Sequence, residues 1–375
     1  MKYNTSPLGD AIELVIDHRG LTPKKLGGDW SDYGYRALSA KNIKTGKIVQ
    51  KETIRYVNPQ MYKKWMQEEV ERNDIFVTSE APFGEIYLWD SDEKIVLSQR
   101  IFGLRIKKTF DPFYMFYYMC TNAFQGELSA RASGTTVTGL RQPELLKCLI
   151  RYPDLSTQKR IGDILRSIDK KIQTNNEIND NLLQQVFTLF DNQFSDITAG
   201  SCSVSDYILP KRGRGLLSKD AIKGDVPVVA GGLEPATYHN AANTASPVIT
   251  ISASGANAGF VRLWNIPVWS SDSSFIDSSI TDFVYFWFVL LKKRQDEIYS
   301  SQTGSAQPHI YPQNIGSLPI CELDMSEVKQ YNDLVTPLFI KIGANESENL
   351  KLAHLRDTLL PKLMAGEIDL DSLNV

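Results

Sequence analysis

Cysteine and histidine are scarce in this 375-residue sequence, with four of each. Cys120, Cys148, Cys202 and Cys321 stand far apart and form no C-x-x-C pair, which excludes the common zinc and redox motifs. Isolated thiols of this kind are expected to be reduced, as in a cytoplasmic protein. His18, His239, His309 and His354 show no metal-ligand spacing with one another or with cysteine, so no metal site is expected. G-x-S-x-G, the Walker A pattern and G-x-G-x-x-G are all absent. SGANAG (254–259) is rich in small residues but has the wrong glycine spacing, and is read as a turn beside a strand. The start, MKYNTSPLGDAIELVIDHRG, has no basic-then-apolar leader pattern. The longest apolar run, FVYFWFVLL (283–291), is too short to span a bilayer, so no membrane association is expected. There is no excess of one charge either: the formal net charge is −3. That excludes a uniformly basic, histone-like protein and leaves room for a local basic face.

What the sequence does contain is length enough for two domains and an internal repeat. TSEAPFGEIYLW (78–89) resembles SASGANAGFVRLW (252–264), with Ser79, Gly84, Leu88 and Trp89 matching Ser254, Gly259, Leu263 and Trp264. SGTTVTGLRQPELLKCLI (133–150) resembles TGSAQPHIYPQNIGSLPI (303–320), with Pro143 and Leu149 matching Pro312 and Leu318. Each half opens with strand-like stretches, such as DIFVTS (74–79), KIVLSQRIFGLRI (94–106) and PVITIS (247–252), separated by turn signals. An aromatic helix follows, over 113–128 and again over 283–298, then a Gly/Ser/Thr-rich loop. A long helix closes each half. The expected fold is α+β: two tandem domains of mixed sheet and helices, separated by two long helices packed as an antiparallel coiled coil. The boundaries are 1–154 and 201–322 for the domains, 155–200 and 323–375 for the helices.

The long helices carry a seam with steps of four and three residues, the heptad rhythm. In the first it runs through Ile161, Leu165, Ile168, Ile172, Asn175, Asn179, Leu182, Val186 and Leu189. In the second it runs through Val335, Leu338, Ile342, Asn345, Asn349, Leu352 and Leu359. Ser156 is the expected N-cap of the first helix, and Thr336 followed by Pro337 the expected start of the second. Ile172, Asn175, Asn179 and Leu182 recur as Ile342, Asn345, Asn349 and Leu352, all offset by 170. Asparagine in a seam lowers stability and is best explained by fixing register against a matching asparagine. The two helices are therefore expected to pack on each other, beyond each packing on its own globule.

DPFY (111–114) is close to the Asp/Asn-Pro-Pro-Tyr/Phe motif of amino-methyltransferases, but Phe113 replaces the second proline. Asp111 and Pro112 suit an ordinary helix start, and the second half has TDFVY (281–285) there instead. The remaining chemistry is polar and sits on loops. HRGLTPKK (18–25), SAKNIKTGK (39–47) and PKRGRG (210–215) present Arg19, Lys24, Lys25, Lys41, Asn42, Lys211, Arg212 and Arg214. Ser79, Ser254 and Asn257 lie at strand ends; SARASGTT (129–136) adds Arg131, Ser133, Thr135 and Thr136. SSQTGSAQPH (300–309) adds Gln302, Thr303, Ser305, Gln307 and His309. Such side chains contact phosphates and read base edges, and each loop taken alone reads equally well as solvated surface.

HRGLTPKK, RALSAKNIKTGKI (36–48), PDLSTQKRIGDILRSIDKKI (153–172) and above all HLRDTLLPKLMAGEIDL (354–370) resemble the specificity subunits of Type I restriction–modification systems. The resemblance spans nearly the whole chain and is weakest over 201–322. It implies two target-recognition domains, each binding one half of a bipartite double-stranded DNA target, and the residues above as candidate DNA contacts. It implies no catalytic site and no cofactor on this chain. S-adenosylmethionine and ATP would belong to partners: two methyltransferase subunits and the restriction subunits. The helix pair would act as a ruler that sets the gap, at roughly 55 and 40 Å for its members. Two other readings compete: a stand-alone DNA methyltransferase, resting on DPFY, and a repeat module that binds protein or carbohydrate.

Overall fold

The computed structural model describes residues 3–134, 138–198, 200–304 and 307–370. The chain divides into two compact units. The first holds the residues up to Lys171 together with those from Leu352 on, and the second holds Ile172–Lys351.

The internal repeat is visible in the sheets. The first unit has a four-stranded antiparallel sheet in the order Ile12–Ile16, Ile101–Ile106, Ile75–Thr78, Ile86–Leu88. The second repeats it as Lys211–Arg212, Ser273–Asp277, Val248–Ser252, Val261–Trp264. A three-stranded sheet with one antiparallel and one parallel pairing follows in each. Its order is Arg55–Val57, Tyr35–Leu38, Val96–Leu97 in the first unit and Thr237–His239, Val226–Val229, Trp269–Ser270 in the second. Each unit also has a two-stranded ribbon, Asn4–Pro7 with Leu149–Tyr152 and Cys202–Ser203 with Pro319–Ile320, and the first unit adds the hairpin Ile43–Lys44 with Lys47–Ile48.

Register corrects the sequence matches by one residue. Ser79 N donates to Arg100 O while Ser79 O accepts from Leu140 N; Ala253 does the same with Asp272 and Ile310. Ser79 therefore corresponds to Ala253, and Glu80 to Ser254. The turn from this position to Gly84 is one residue shorter than its counterpart ending at Gly259, which restores the glycine match. Near the end of each half, Leu8 N donates to Cys148 O and Val204 N to Leu318 O, so the offset is 170 rather than the one Pro143 and Pro312 suggested.

Three element boundaries also differ from expectation. KIVLSQRIFGLRI is two strands in different sheets, broken at Ser98–Arg100, where Arg100 has a left-handed φ of 67°. The first aromatic helix stops at Met119 and restarts at Asn122, because Thr121 turns its hydroxyl to the Phe124 N–H as a new N-cap. Its counterpart breaks at Arg294, whose guanidinium is held by Glu297 and the Pro319 carbonyl. The first helix begins as DPFY implies: the Asp111 carboxylate accepts from Tyr114 N at 2.8 Å, with Pro112 in the first turn.

The second half achieves the same cap differently. Phe283 precedes Val284–Lys293 with no side-chain cap, and the missing acceptor comes from the long helix, where Asn332 Oδ1 takes Phe286 N–H at 3.3 Å. The corresponding residue in the first long helix is Gly162. A Cβ there would stand 2.6 Å from Asp111 Oδ1 and 3.1 Å from Tyr114 N. One unit caps locally and leaves room with glycine; the other caps from outside with asparagine.

The long helices span Leu155–Gln193 (39 residues) and Met325–Ala365 (41 residues). The first is capped by Asp154, not Ser156, through Thr157 N and Oγ1 at 3.0 and 2.7 Å. The Thr157 hydroxyl holds the Asp154 carboxyl below its usual range. The second begins well before Pro337, with Asp324 Oδ1 accepting from Ser326 N at 2.7 Å. Val328, Tyr331 and Val335 are fully buried along its first turns, and their burial outweighs the single backbone bond that Pro337 removes.

Within each unit the two helix segments run antiparallel. In the first unit Arg160 reaches the Leu370 carbonyl, and Arg356 Nη1 lies 2.7 Å from Asp169 Oδ1. Asp169 also accepts from Tyr117 Oη at 2.6 Å. Ile161, Leu165, Leu363, Met364 and Leu370 join the sheet and aromatic helix in one core. In the second unit Val186 and Phe190 pack with Val328, Tyr331, Phe339, Phe286 and Trp287. Both packing readings thus hold at once: the helices pair with each other and close their globules.

The seam asparagines face one another across the pair. Asn175 Nδ2 donates to Asn349 Oδ1 at 2.9 Å and to Glu348 Oε2 at 2.8 Å. Asn345 Nδ2 donates to Asn179 Oδ1 at 2.7 Å, and Asn349 Nδ2 to Asn176 Oδ1 at 2.9 Å. Asn175 and Asn345 are each 1% exposed. Replacing Asn345 alone with leucine strands the Asn179 amide and is expected to lower stability by about 1–3 kcal/mol. Replacing Asn179 and Asn345 together is expected to be neutral or stabilising. Thermal unfolding of the two variants checks this, and equal losses in both would show that the pair acts through shape rather than hydrogen bonding.

Candidate nucleic-acid interface

In the first unit three loops meet: the turn after Ile75–Thr78, the turn before Ile101–Ile106, and the loop that Ser133 and Gly139 close as a bridge. Between them lies a cleft of about 460 Å³ bordered by Arg19, Glu80, Gln99, Arg100, Ser133 and Arg141. Gln99 and Arg100 also border a neighbouring cleft of about 270 Å³, together with Trp30, Trp65, Lys41 and Arg55. The second unit joins the same loops, through the bridges Ser254–His309 and Thr303–His309 and the bond from Gly255 N to Pro308 O. SGANAG is the turn between two strands, as expected.

The candidate residues fall into three groups. Lys24, Lys25, Lys41, Ser133, Lys211, Arg212, Arg214, Thr303 and Gln307 are exposed on these loops or beside them. A second group is committed to the fold. Asn42 is 1% exposed, closes a capping box with Ser39 and donates to Gln50 O and Thr53 Oγ1, so it is unavailable to DNA. Ser79 is 3% exposed and acts through its backbone. Arg19 is held bidentately by Asp17, reaches the Leu140 carbonyl and lies 3.8 Å over the Phe102 ring. Gln302 and Asn257 bind the Ala258 and Gly231 carbonyls, and Arg131 pairs with Glu127 and Glu144. Ser254 donates to Asp272, and His309 stacks on Tyr311. Thr135, Thr136 and Ser305 lie outside the described residues.

Sequence reasoning missed Arg100, Glu80 and Asp272. Distant loops bring Arg100 and Glu80 to the cleft of the first unit, and Asp272 meets Ser254 and Arg212 at the equivalent junction of the second. Asp111 is 8% exposed and spent on the helix cap, so DPFY cannot hold a base amine. Burial pushes the Cys120 thiol up to about 12 and the Cys148 thiol up to about 11, which disfavours the nucleophilic thiolate at both. Among the described residues no group of three His, Cys, Asp or Glu is placed to hold a metal, and no helix is long and apolar enough to cross a membrane. What the site offers is a set of hydrogen-bond donors and acceptors on loops, suited to reading a surface.

Known proteins agree on one family. The profile described as "Type I restriction modification DNA specificity domain" matches residues 1–184. A Type I restriction enzyme specificity subunit of Methanocaldococcus jannaschii, MjaIX, is 22% identical and spans 94% of this chain and 87% of its own. A second from that organism, MjaVIII, is 30% identical over 151 residues, covering 39% of this chain and 35% of its own. The crystal structure of a Type I restriction–modification S subunit from M. genitalium shares the fold, with a TM-score of 0.61, 19% identity and 96% of each chain covered. Residues 1–184 match the Type I restriction modification DNA specificity domain, and nearly the whole chain is similar to Type I specificity subunits.

Proposed function

We propose that this chain is the DNA-recognition subunit of a Type I restriction–modification complex and that its target is bipartite and asymmetric. The observation that supports this most is the duplicated scaffold carrying two different loop clusters. A shared frame places two sets of donors and acceptors, and different sets read different base edges. The chain itself performs no chemistry in this reading. S-adenosylmethionine and ATP are bound by two methyltransferase subunits and the restriction subunits that assemble on it, in the cytoplasm where the DNA lies. Mapping methylated sites made by the chain with its methyltransferase partner tests the reading. A two-part motif with unlike halves is the expected result; a palindromic motif, or methyl transfer by the isolated chain, contradicts it.

Binding of DNA by the chain alone is expected to be weak and salt-sensitive, since the net charge is −3 and attraction rests on a few loop cations. Lys24 and Lys41 are exposed candidates for phosphate contacts. Replacing one such lysine with glutamine should flatten the plot of log affinity against log salt by about 0.9. Binding that is tight and independent of salt would contradict this.

A further inference from the structure

On the repeated frame, the two units carry opposite charges at two equivalent positions. The first position is Arg100 in one unit and Asp272 in the other, fixed by the matching bonds from Ser79 N and Ala253 N. The second follows from strand register. Gly103 pairs with Ile16, and its counterpart Phe275 pairs with Lys211, so Asp17 corresponds to Arg212. Each unit thus has one guanidinium and one carboxylate at these two positions, with the guanidinium coming from different strands. Each guanidinium is held by a carboxylate of its own unit: Arg100 by Glu80 at 2.8 Å, Arg212 by Asp272 at 2.8 Å.

Arg100 borders both clefts of the first unit. Its left-handed backbone, with φ 67°, is unfavourable for arginine, and it is held on both sides by Ala40 N to Gln99 O and Ser79 N to Arg100 O. Both ion pairs are half exposed, with 49% and 34% of the Arg100 and Glu80 side chains accessible and 44% and 39% of those of Arg212 and Asp272. Exposed pairs of this kind contribute little. A guanine edge offers the same fork two acceptors, O6 and N7, in a stronger bidentate contact.

We propose that Arg100 and Arg212 are specificity-determining residues that each read a guanine in one half-site, parked until then on Glu80 and Asp272. The exchange releases a carboxylate that can accept from a cytosine N4 amino group nearby. The swapped positions make the two units read their guanines from different places on the frame. This rests on the chain being a DNA-recognition subunit. The test uses the full chain assembled with its methyltransferase partner, and maps methylated sites for Arg100→Asn and Arg212→Gln. Asparagine tolerates the left-handed backbone of position 100. R100N should relax one base pair of one half-site, with preference for guanine falling about 10–100-fold, and leave the other half-site alone. R212Q should relax one base pair of the other. If R100N does not assemble, Arg100→Lys, which keeps the charge but loses the fork, should give the same relaxation. An unchanged motif would overturn the proposal. So would a uniform loss over all sequences with a flatter salt dependence, the mark of a phosphate contact. A wild-type complex that methylates no defined two-part site would sink the recognition reading and this inference with it.

Discussion

A fragment of residues 172–351 is expected to fold by itself, while a fragment of residues 1–171 is not. The second unit is one continuous stretch of chain, and its core closes among its own residues, from Val186 to Ile342. The first unit is completed by the distant end of the sequence. Leu363, Met364 and Leu370 are 1%, 5% and 2% exposed, packed in the first core against the aromatic helix and sheet. Burying each contributes about 1.5–3 kcal/mol. Together that is about 5–9 kcal/mol, comparable with the whole stability of an ordinary domain. Arg356, Tyr3 and Gly366 add polar and steric detail. Arg356 pairs with Asp169, Tyr3 Oη donates to Leu363 O, and Gly366 takes φ 77° under the Tyr3 ring, where a Cβ would approach to 2.7 Å. Circular dichroism melts of both fragments provide the check, and adding a peptide of residues 352–375 should restore cooperative unfolding to 1–171. A fragment 1–171 that melts like the full chain without it would refute the expectation.

Four residues added to both long helices, after Gln173 and after Leu350, are expected to preserve both half-sites and widen their gap by one or two base pairs. Four helical residues advance about 6 Å, nearly two steps of B-DNA at about 3.4 Å. Such an addition is a stutter that lets the heptads resume. The first insertion sits before Leu182, which already packs against the second core. The structure requires two insertions. The first helix carries Asp169 and Asn175, and the second carries their partners Arg356 and Asn349 in reverse order. Lengthening one helix alone must break one of these contacts and should abolish recognition. Methylated-site mapping separates the outcomes: an unaltered gap with altered half-site bases would show that the helices do not set the spacing.

Much of this was legible because it depends on spacing along the chain. The seam positions repeat every three or four residues, so the helices and the asparagine tiers could be read before any contact was known. DPFY could be read as a cap because capping is local. HLRDTLLPKLMAGEIDL carries a resemblance, yet none of the site residues named above lies in it. Its residues are the packing surface that completes the first unit, which explains why composition alone assigned it nothing. Structure and sequence expectation part where packing overrides local preference. Pro337 looked like a helix start, but Val328, Tyr331 and Val335 carry the helix past it. Asn42 looked like a polar loop residue and is a buried capping group.

The sequence by itself determined the duplication, the α+β order, the two long helices and the absence of familiar catalytic motifs, since each follows from residue order and short-range periodicity. Tertiary structure alone decided which loop residues share a cleft. Glu80, Arg100 and Leu140 are distant in the chain and meet because antiparallel strand register and two backbone bonds at Ser79 align their turns. It also decided that Arg100 corresponds to Asp272 rather than to another arginine, because correspondence there follows hydrogen bonds across strands and a one-residue change in turn length hides it from any fixed offset.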